Sequence, residues 1–255
     1  MSDSQAYLAK KAQFDQLLTV YGRNPVLEAI SDNQLQPQRL HLSKNNRQAD
    51  VLDQILEWAD RRNVEVRQHD PASLARISKN AKQDQGVALD IRCPNHQQIG
   101  VFLKNLPKSF RLIALDGITN PQNLGMIIRS VAASPADALL ISKQDSPKLS
   151  PLVIKASAGT LFRAPIVRTD NLLDSLNQLA DRGAQICVLD SNADSGVEPQ
   201  TKADRVVFVL GNETEGVSTE IKQMASGAVS IPMNRGVESL NVAVAAALVA
   251  FDLAS

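Results

Sequence analysis

The stretch that most constrains this chain runs from Ser226 to Ser255. A short apolar strand, Ala228 to Ile231, meets a turn built on Pro232 and Gly236, and an almost unbroken apolar segment then runs to Leu253. Pro232 has no N–H to give a sheet ladder and ends the strand, while Gly236 permits a bend. Ser239 stands where a helix N-cap belongs, with Glu238 near the positive helix end. The helix expected next, Val242 to Phe251, is apolar on every side, so it has to be buried all round, under its own fold or against another subunit. Ser239 and Asn241 are thereby held at the mouth of a dry, rigid element, which suits a site better than a surface loop.

The rest of the chain alternates strands and helices. Asn24-Pro25 is expected to open a helix, with Asn24 capping and Pro25 in the first position. Arg39–Ser43 reads as a strand. Ala49–Arg62 reads as a helix with Val51, Leu52, Ile55, Leu56 and Ala59 on one stripe. Val64–Val66, a helix from Pro71 and a strand Gly86–Ile91 complete a small α/β unit. The expected layout is an extension over 1–17, a first domain over 18–93, a linker over 94–108 and a second domain over 109–255. In the second domain Leu112–Leu115, Ala138–Ile141, Gln185–Leu189 and Arg205–Leu210 read as strands separated by helices. The fully apolar run Val206–Leu210 is the mark of a buried parallel sheet. The fold class expected is therefore α/β and doubly wound, with ligands at the carboxyl ends of the strands.

Several chemistries lose support from the sequence. Lys plus Arg and Asp plus Glu each number 27, so net charge alone points to no polyanion. Cys93 and Cys187 match no metal or redox spacing and suggest a reducing cytoplasm. Met1-Ser2-Asp3-Ser4-Gln5 lacks the basic and apolar regions of a signal peptide, and the C-terminal segment reads as a core helix, so no membrane is expected. His41, His69 and His96 all precede the second domain, which leaves it without a histidine base, a Cys–His pair or a His-rich metal site. No Gly-x-Gly-x-x-Gly or P-loop pattern is present.

What remains is three loops, each at the carboxyl end of an apolar strand and each mixing glycine or proline with polar groups. They are Asn120 to Arg129, Leu210 to Val217, and Ile231 to Asn241. Together they resemble the three signature motifs of the SpoU family (TrmH-like) of RNA ribose 2′-O-methyltransferases, in the SPOUT superfamily. Asn123, Gly125 and Arg129 fall on the first motif. Gly211, Asn212, Glu213 and Gly216 fall on the second, and Ile231-Pro232-Met233 with Ser239-Leu240-Asn241-Val242 on the third. Residues 20–92, opening with Tyr21-Gly22-Arg23-Asn24-Pro25, resemble the family's small N-terminal substrate-binding domain of ribosomal-protein-like, RNA-binding fold. Thr214, where many members carry glycine, and Asn120, where many carry an acidic residue, are departures.

The resemblance implies a SPOUT-type parallel sheet with a deep trefoil knot, S-adenosylmethionine bound in the knot, and a homodimer formed through the C-terminal domain. It implies that Leu210, Gly211, Asn212, Gly216, Ile231, Met233 and Leu240 meet the cofactor, without metal. Arg129, Asn123, Glu213, Ser239 and Asn241 become the expected catalytic set, with RNA as substrate. A guanidinium with a pKa of about 12 or above is a poor base, so Arg129 is expected to grip phosphate and stabilise the developing alkoxide. Arg61, Arg62, Arg67, Lys155 and Arg163 are candidates for RNA phosphate or for plain solvated surface. The favoured target is a 23S rRNA guanosine. The alternatives are a tRNA ribose, a non-catalytic RNA-binding assembly factor of the same fold, or a small-molecule α/β enzyme.

Overall fold

The computed structural model describes residues 16–191, 193 and 203–252, so nearly all of the expected 1–17 extension, and Leu253, lie outside the described residues. Backbone contacts divide the chain into Met1–Pro94 and Asn95–Ser255.

The first unit has strands β1 (Leu17–Tyr21), β2 (Pro37–Ser43), β3 (Glu65–His69) and β4 (Val87–Arg92), and helices α1 (Arg23–Ile30), α2 (Asp50–Arg61) and α3 (Pro71–Ser78). Its sheet order is β1-β4-β2-β3; only the β2–β3 pair is parallel. Strand periodicity separates two faces. Leu18, Val20, Leu40, Leu42, Leu89 and Ile91 are buried on one, while Thr19, Arg39, His41 and Asp90 share the other. His41 is buried between Asp90, 3.0 Å from its Nε2, and His69, 2.9 Å from its Nδ1.

Helix starts in this unit follow local donors. Asp70 accepts from the Ser73 amide at 2.9 Å, and Pro71 takes the first position of α3. Asn24 does not cap α1. Gly22, at φ 92°, is the N-cap, and the Gln85 side chain accepts from the Arg23 amide at 3.0 Å. A positive-φ glycine turns the chain two residues earlier than the Asn-Pro pair suggests.

The second unit has strands β5 (His96–Gln98), β6 (Phe110–Leu115), β7 (Ala138–Ser142), β8 (Ile166–Thr169), β9 (Gln185–Leu189), β10 (Arg205–Leu210) and β11 (Gly227–Val229). Its helices are α4 (Ile99–Lys104), α5 (Pro121–Ala133), α6 (Pro151–Ala156), α7 (Leu172–Ala180), α8 (Thr219–Met224) and α9 (Val242–Asp252). Among the described residues the sheet has seven strands in the order β11-β9-β10-β6-β7-β8-β5, all parallel. Central strands β6 and β10 are buried on both faces, as the apolar run requires.

One feature departs from the sequence reading. No strand is expected in the 94–108 linker, yet His96–Gln98 there forms β5, while the short apolar helix expected at Ile99, Val101, Phe102 and Leu103 is α4. His96 locks β5 to the sheet, its Nε2 at 2.8 Å from the Leu161 carbonyl and its Nδ1 at 3.3 Å from the Arg168 guanidinium. Burial first, and then the Arg168 charge, push its pKa down to about 4. Of the two covers expected for α9, its own fold supplies burial only at Val242, Ala243, Ala245, Ala246, Val249 and Ala250. Val244, Leu248 and Phe251 are each 46–50% exposed. No helix among the described residues is long and apolar enough to cross a membrane.

Candidate active site

The site is built where β9, β10 and β11 end. At β10 the chain turns at once: the Asn212 amide donates to the Gly216 carbonyl at 3.0 Å, and the Gly216 amide donates back to the Asn212 carbonyl at 2.9 Å. A Cβ on Gly211 would collide with the backbone of Gly216 and Val217, so this tight closure admits only glycine. The Asn212 side chain anchors the turn from both sides, donating to the Gly117 carbonyl at 2.8 Å and accepting from the Thr214 amide at 2.8 Å. Asp116 accepts from the Ser218 amide at 2.7 Å and ties down the far end. Thr214 is not among the positive-φ residues, so the family's glycine is not needed there and the departure costs no strain.

Helix α5 approaches from the side. Asn120 caps it, accepting from the Gln122 amide at 2.8 Å, so an acidic residue is not required at that position. Gly125 makes room for α6: a Cβ there would come within 2.8 Å of the Val153 carbonyl. This glycine of the first motif therefore serves helix packing. Asn123, one turn in, is buried, and its side-chain N–H donates to a Glu213 carboxylate oxygen. Its carbonyl oxygen accepts from the Asn241 side chain at 3.2 Å. The other end of the Asn241 amide accepts from the Ala243 amide at 2.9 Å, and the Asn241 carbonyl accepts from Ala245 at 3.0 Å. Asn241, and not Ser239, is thus the cap of α9. Its partners explain how a carboxamide can start an apolar helix.

The 210–217 and 231–241 loops, with the end of β9 and the start of α9, wall a half-open cavity of about 330 Å³. Leu210, Gly211, Asn212, Gly216, Ile231, Met233 and Leu240, the seven positions expected to meet a cofactor, all line it, as do Glu213 and Ser239. Asn123 and Asn241 join it through Glu213 without lining it. Arg129 does neither. It is exposed, and it lies six residues after Asn123, which on an α-helix is about 120° around the axis and about 9 Å along it. It shares its side of α5 with exposed Gln122 and Met126.

A fourth strand end was missed in the sequence. Leu189 ends β9, Asp190 and Ser191 follow it, and all three line the cavity, with Asp190 paired to Lys222 of α8 at 3.0 Å. The signal was available, since Gln185–Leu189 is an apolar strand like the others and its loop also begins with polar residues. Four carboxylates (Asp190, Glu213, Glu215, Glu238) face one ammonium (Lys222) around the lining, so the cavity favours a ligand with positive charge.

A parallel α/β sheet that carries a half-open cavity on its carboxyl edge, walled by two glycine- or proline-containing turns and the end of a third strand, defines a ligand-binding α/β domain. The SpoU rRNA methylase family model matches residues 111–251, which hold all of this site, and a model for RNA 2′-O ribose methyltransferase substrate binding matches residues 19–97. The chain belongs to the SpoU family of methyltransferases. A protein described as an uncharacterized tRNA/rRNA methyltransferase from Mycobacterium ulcerans is 32% identical over 247 residues, covering 96% of this chain and 79% of that one. One of the same description from Mycolicibacterium vanbaalenii is 34% identical over 241 residues, with 92% and 75% covered. Among solved structures, the AdoMet-bound rRNA methyltransferase from Sinorhizobium meliloti superposes with a TM-score of 0.62 at 20% identity, covering 98% of this chain and 90% of that one. The SpoU methyltransferase AviRb from Streptomyces viridochromogenes with AdoMet gives 0.63 at 22%, covering 98% and 92%. At these identities the two structures speak for the fold.

Proposed function

We propose that this protein transfers a methyl group from S-adenosylmethionine to a ribose 2′-hydroxyl of structured RNA, with a 23S rRNA guanosine as the favoured target and a tRNA ribose as the alternative. The observation that carries the reading is the meeting of the 210–217 and 231–241 loops at one cavity, with the first loop tied to both through the Asn241–Asn123–Glu213 chain. The cavity suits the cofactor. Its volume lies in the usual small-ligand range of about 300–1,000 Å³, Leu210, Ile231, Leu240, Val242 and Ala245 supply apolar walls, and the carboxylates suit a cationic ligand. When bound, S-adenosylmethionine supplies a methyl on a sulfonium, a leaving group good enough to need no metal.

The chain's own residues then have to place the accepting oxygen in line and manage its proton. Glu213 is held by Asn123 and keeps a carboxylate at the cavity edge, where it accepts a hydrogen bond from the ribose hydroxyl. Asn241 fixes the Asn123 amide the right way round, so that its N–H and not its oxygen faces Glu213. Ser239, exposed beside Leu240 in the cavity lining, offers a hydroxyl to the incoming nucleotide. Arg129 grips RNA phosphate and stabilises the developing alkoxide by charge. It does so from outside its own chain's cavity, which fits a homodimer whose sites are shared. A second copy covering Val244, Leu248 and Phe251 buries the face that α9 leaves open. The deep trefoil knot and the RNA-binding role of the first unit belong to the same reading, the latter supported by the substrate-binding match over residues 19–97.

Calorimetry with S-adenosylmethionine and tritiated-methyl transfer to total RNA test it together. Binding with transfer is expected. Binding without transfer would favour a non-catalytic RNA-binding factor, and no binding would favour a different α/β enzyme.

A further inference from the structure

A second cavity, of about 550 Å³, lies on the other side of the 212–216 turn. Asn212, Glu215 and Gly216 line both cavities, so one thin turn is their common wall. Its remaining lining comes from Ser218 and from the loops after β6 and β7, with Asp116, Thr119, Asp145 and Ser146 the residues that matter. No lysine or arginine lines it, whereas three carboxylates do. An RNA phosphate is repelled from such a place, and a group rich in N–H donors is drawn to it.

The hydrogen bonds already made leave capacity of a particular kind. Asp116 accepts from the Ser218 amide through one oxygen, and Asp145 accepts from the Ser142 hydroxyl at 3.0 Å through one oxygen. Glu215 extends from the shared turn at the solvent side. Ser146 Oγ is buried with no hydrogen-bond partner among the described residues, a donor with unused capacity on a residue of the same lining. Among the four bases, guanine offers the most contiguous N–H donors on one edge, N1–H with N2–H₂, beside the O6 acceptor. Carboxylates that accept and a hydroxyl that donates complement that edge, and enzymes acting on a single nucleotide commonly read it on the Watson–Crick edge after taking it out of the stack. Glu213 and Glu215 are two residues apart on one turn, at most about 7 Å along the backbone. A ribose at Glu213 therefore leaves its base within reach of the second cavity.

We propose that this cavity reads the base of the nucleotide that is methylated, and that the base is guanine, held by Asp145 and Glu215 with Ser146 donating to its O6. This rests on the ribose-methylation reading above and adds the residues that choose the nucleotide. The test uses the full-length protein, tritiated S-adenosylmethionine and total RNA from cells lacking the protein, digested to nucleosides. Label is expected in 2′-O-methylguanosine. Asp145→Asn, which keeps the acceptor for Ser142, and Glu215→Gln are each expected to raise the KM for RNA at least tenfold with kcat less affected, and Asp145→Asn, whose residue lies outside the cofactor cavity, is expected to leave S-adenosylmethionine affinity within twofold of the wild type. Label in the 2′-O-methyl derivative of another base, or variants with unchanged KM, would overturn the assignment while leaving ribose methylation standing. Absence of S-adenosylmethionine binding by the wild type would overturn the underlying reading and this assignment with it.

Discussion

Asn123 is the residue on which the site's polar geometry turns. Its amide has one donor end and one acceptor end, and each is committed: to Glu213 of the second loop and to Asn241 of the third. Removing it leaves Glu213 without its anchor and the Asn241 donor without a partner. Asn123→Ala is therefore expected to lower kcat by about 10²-fold, in the range seen when one positioned polar group is lost, with cofactor affinity within a few-fold. Single-turnover methylation alongside calorimetry separates the two effects; an equal loss in both would mean the residue acts through cavity shape instead. Gly211→Ala predicts the converse. The added methyl has no space against Gly216 and Val217, so cofactor binding is expected to weaken more than tenfold in calorimetry and the melting temperature to fall. The glycine and proline punctuation of all three loops was visible in the sequence because it is local. The hydrogen-bonding role of Asn241 was not, because Ser239 satisfies the capping rule equally well and only the folded helix start, where Asn241 accepts from the Ala243 amide, decides between them. Arg129 could be singled out by resemblance alone, since an arginine on an exposed helix stripe has no local signature.

At the scale of elements, the legible strands were those whose burial is written into an unbroken apolar run, such as β9 and β10. Strand β5 was missed for the opposite reason. His96-Gln97-Gln98 is polar, and becomes a strand only because β8 offers an edge and His96 finds the Leu161 carbonyl and Arg168. That dependence predicts a pH effect. The folded pKa of His96, about 4, lies below its ordinary value of 6.5, so the unfolded chain binds the extra proton between those limits. The stabilising contribution is complete above pH 6.5 and is lost as pH falls toward 4, amounting to about 3 kcal/mol at most. Urea unfolding at pH 7.5 and 4.5 checks it. His96→Gln is expected to flatten the dependence, and an unaltered slope would show that other groups carry it. Helix α9 offers a second prediction. Its sequence demanded burial on all sides, and one chain supplies half of it. Leu248→Glu is expected to shift the protein toward a monomer in sedimentation velocity by placing a charge on the exposed face; an unchanged sedimentation coefficient would mean that the face is not the subunit contact.

For the whole molecule, the parallel sheet was readable from the alternation of apolar strands with amphipathic helices, because that pattern reports burial directly. The way four strand-end loops gather at one edge was not readable, because it depends on strand order, and the order β11-β9-β10-β6 is not the order of the sequence. Placing β9 and β11 together beyond β10 is what brings Asp190, the 211 turn and the 231–241 segment around a single cavity. The central claim is that this cavity presents a methyl group to a ribose oxygen. The most direct measurement is the fate of transferred label under alkaline hydrolysis, because a 2′-O-methyl group removes the nucleophile that cleaves the adjacent phosphodiester. Tritium recovered in alkali-stable dinucleotides is the predicted result; tritium released in mononucleotides would place the methyl on a base and contradict it.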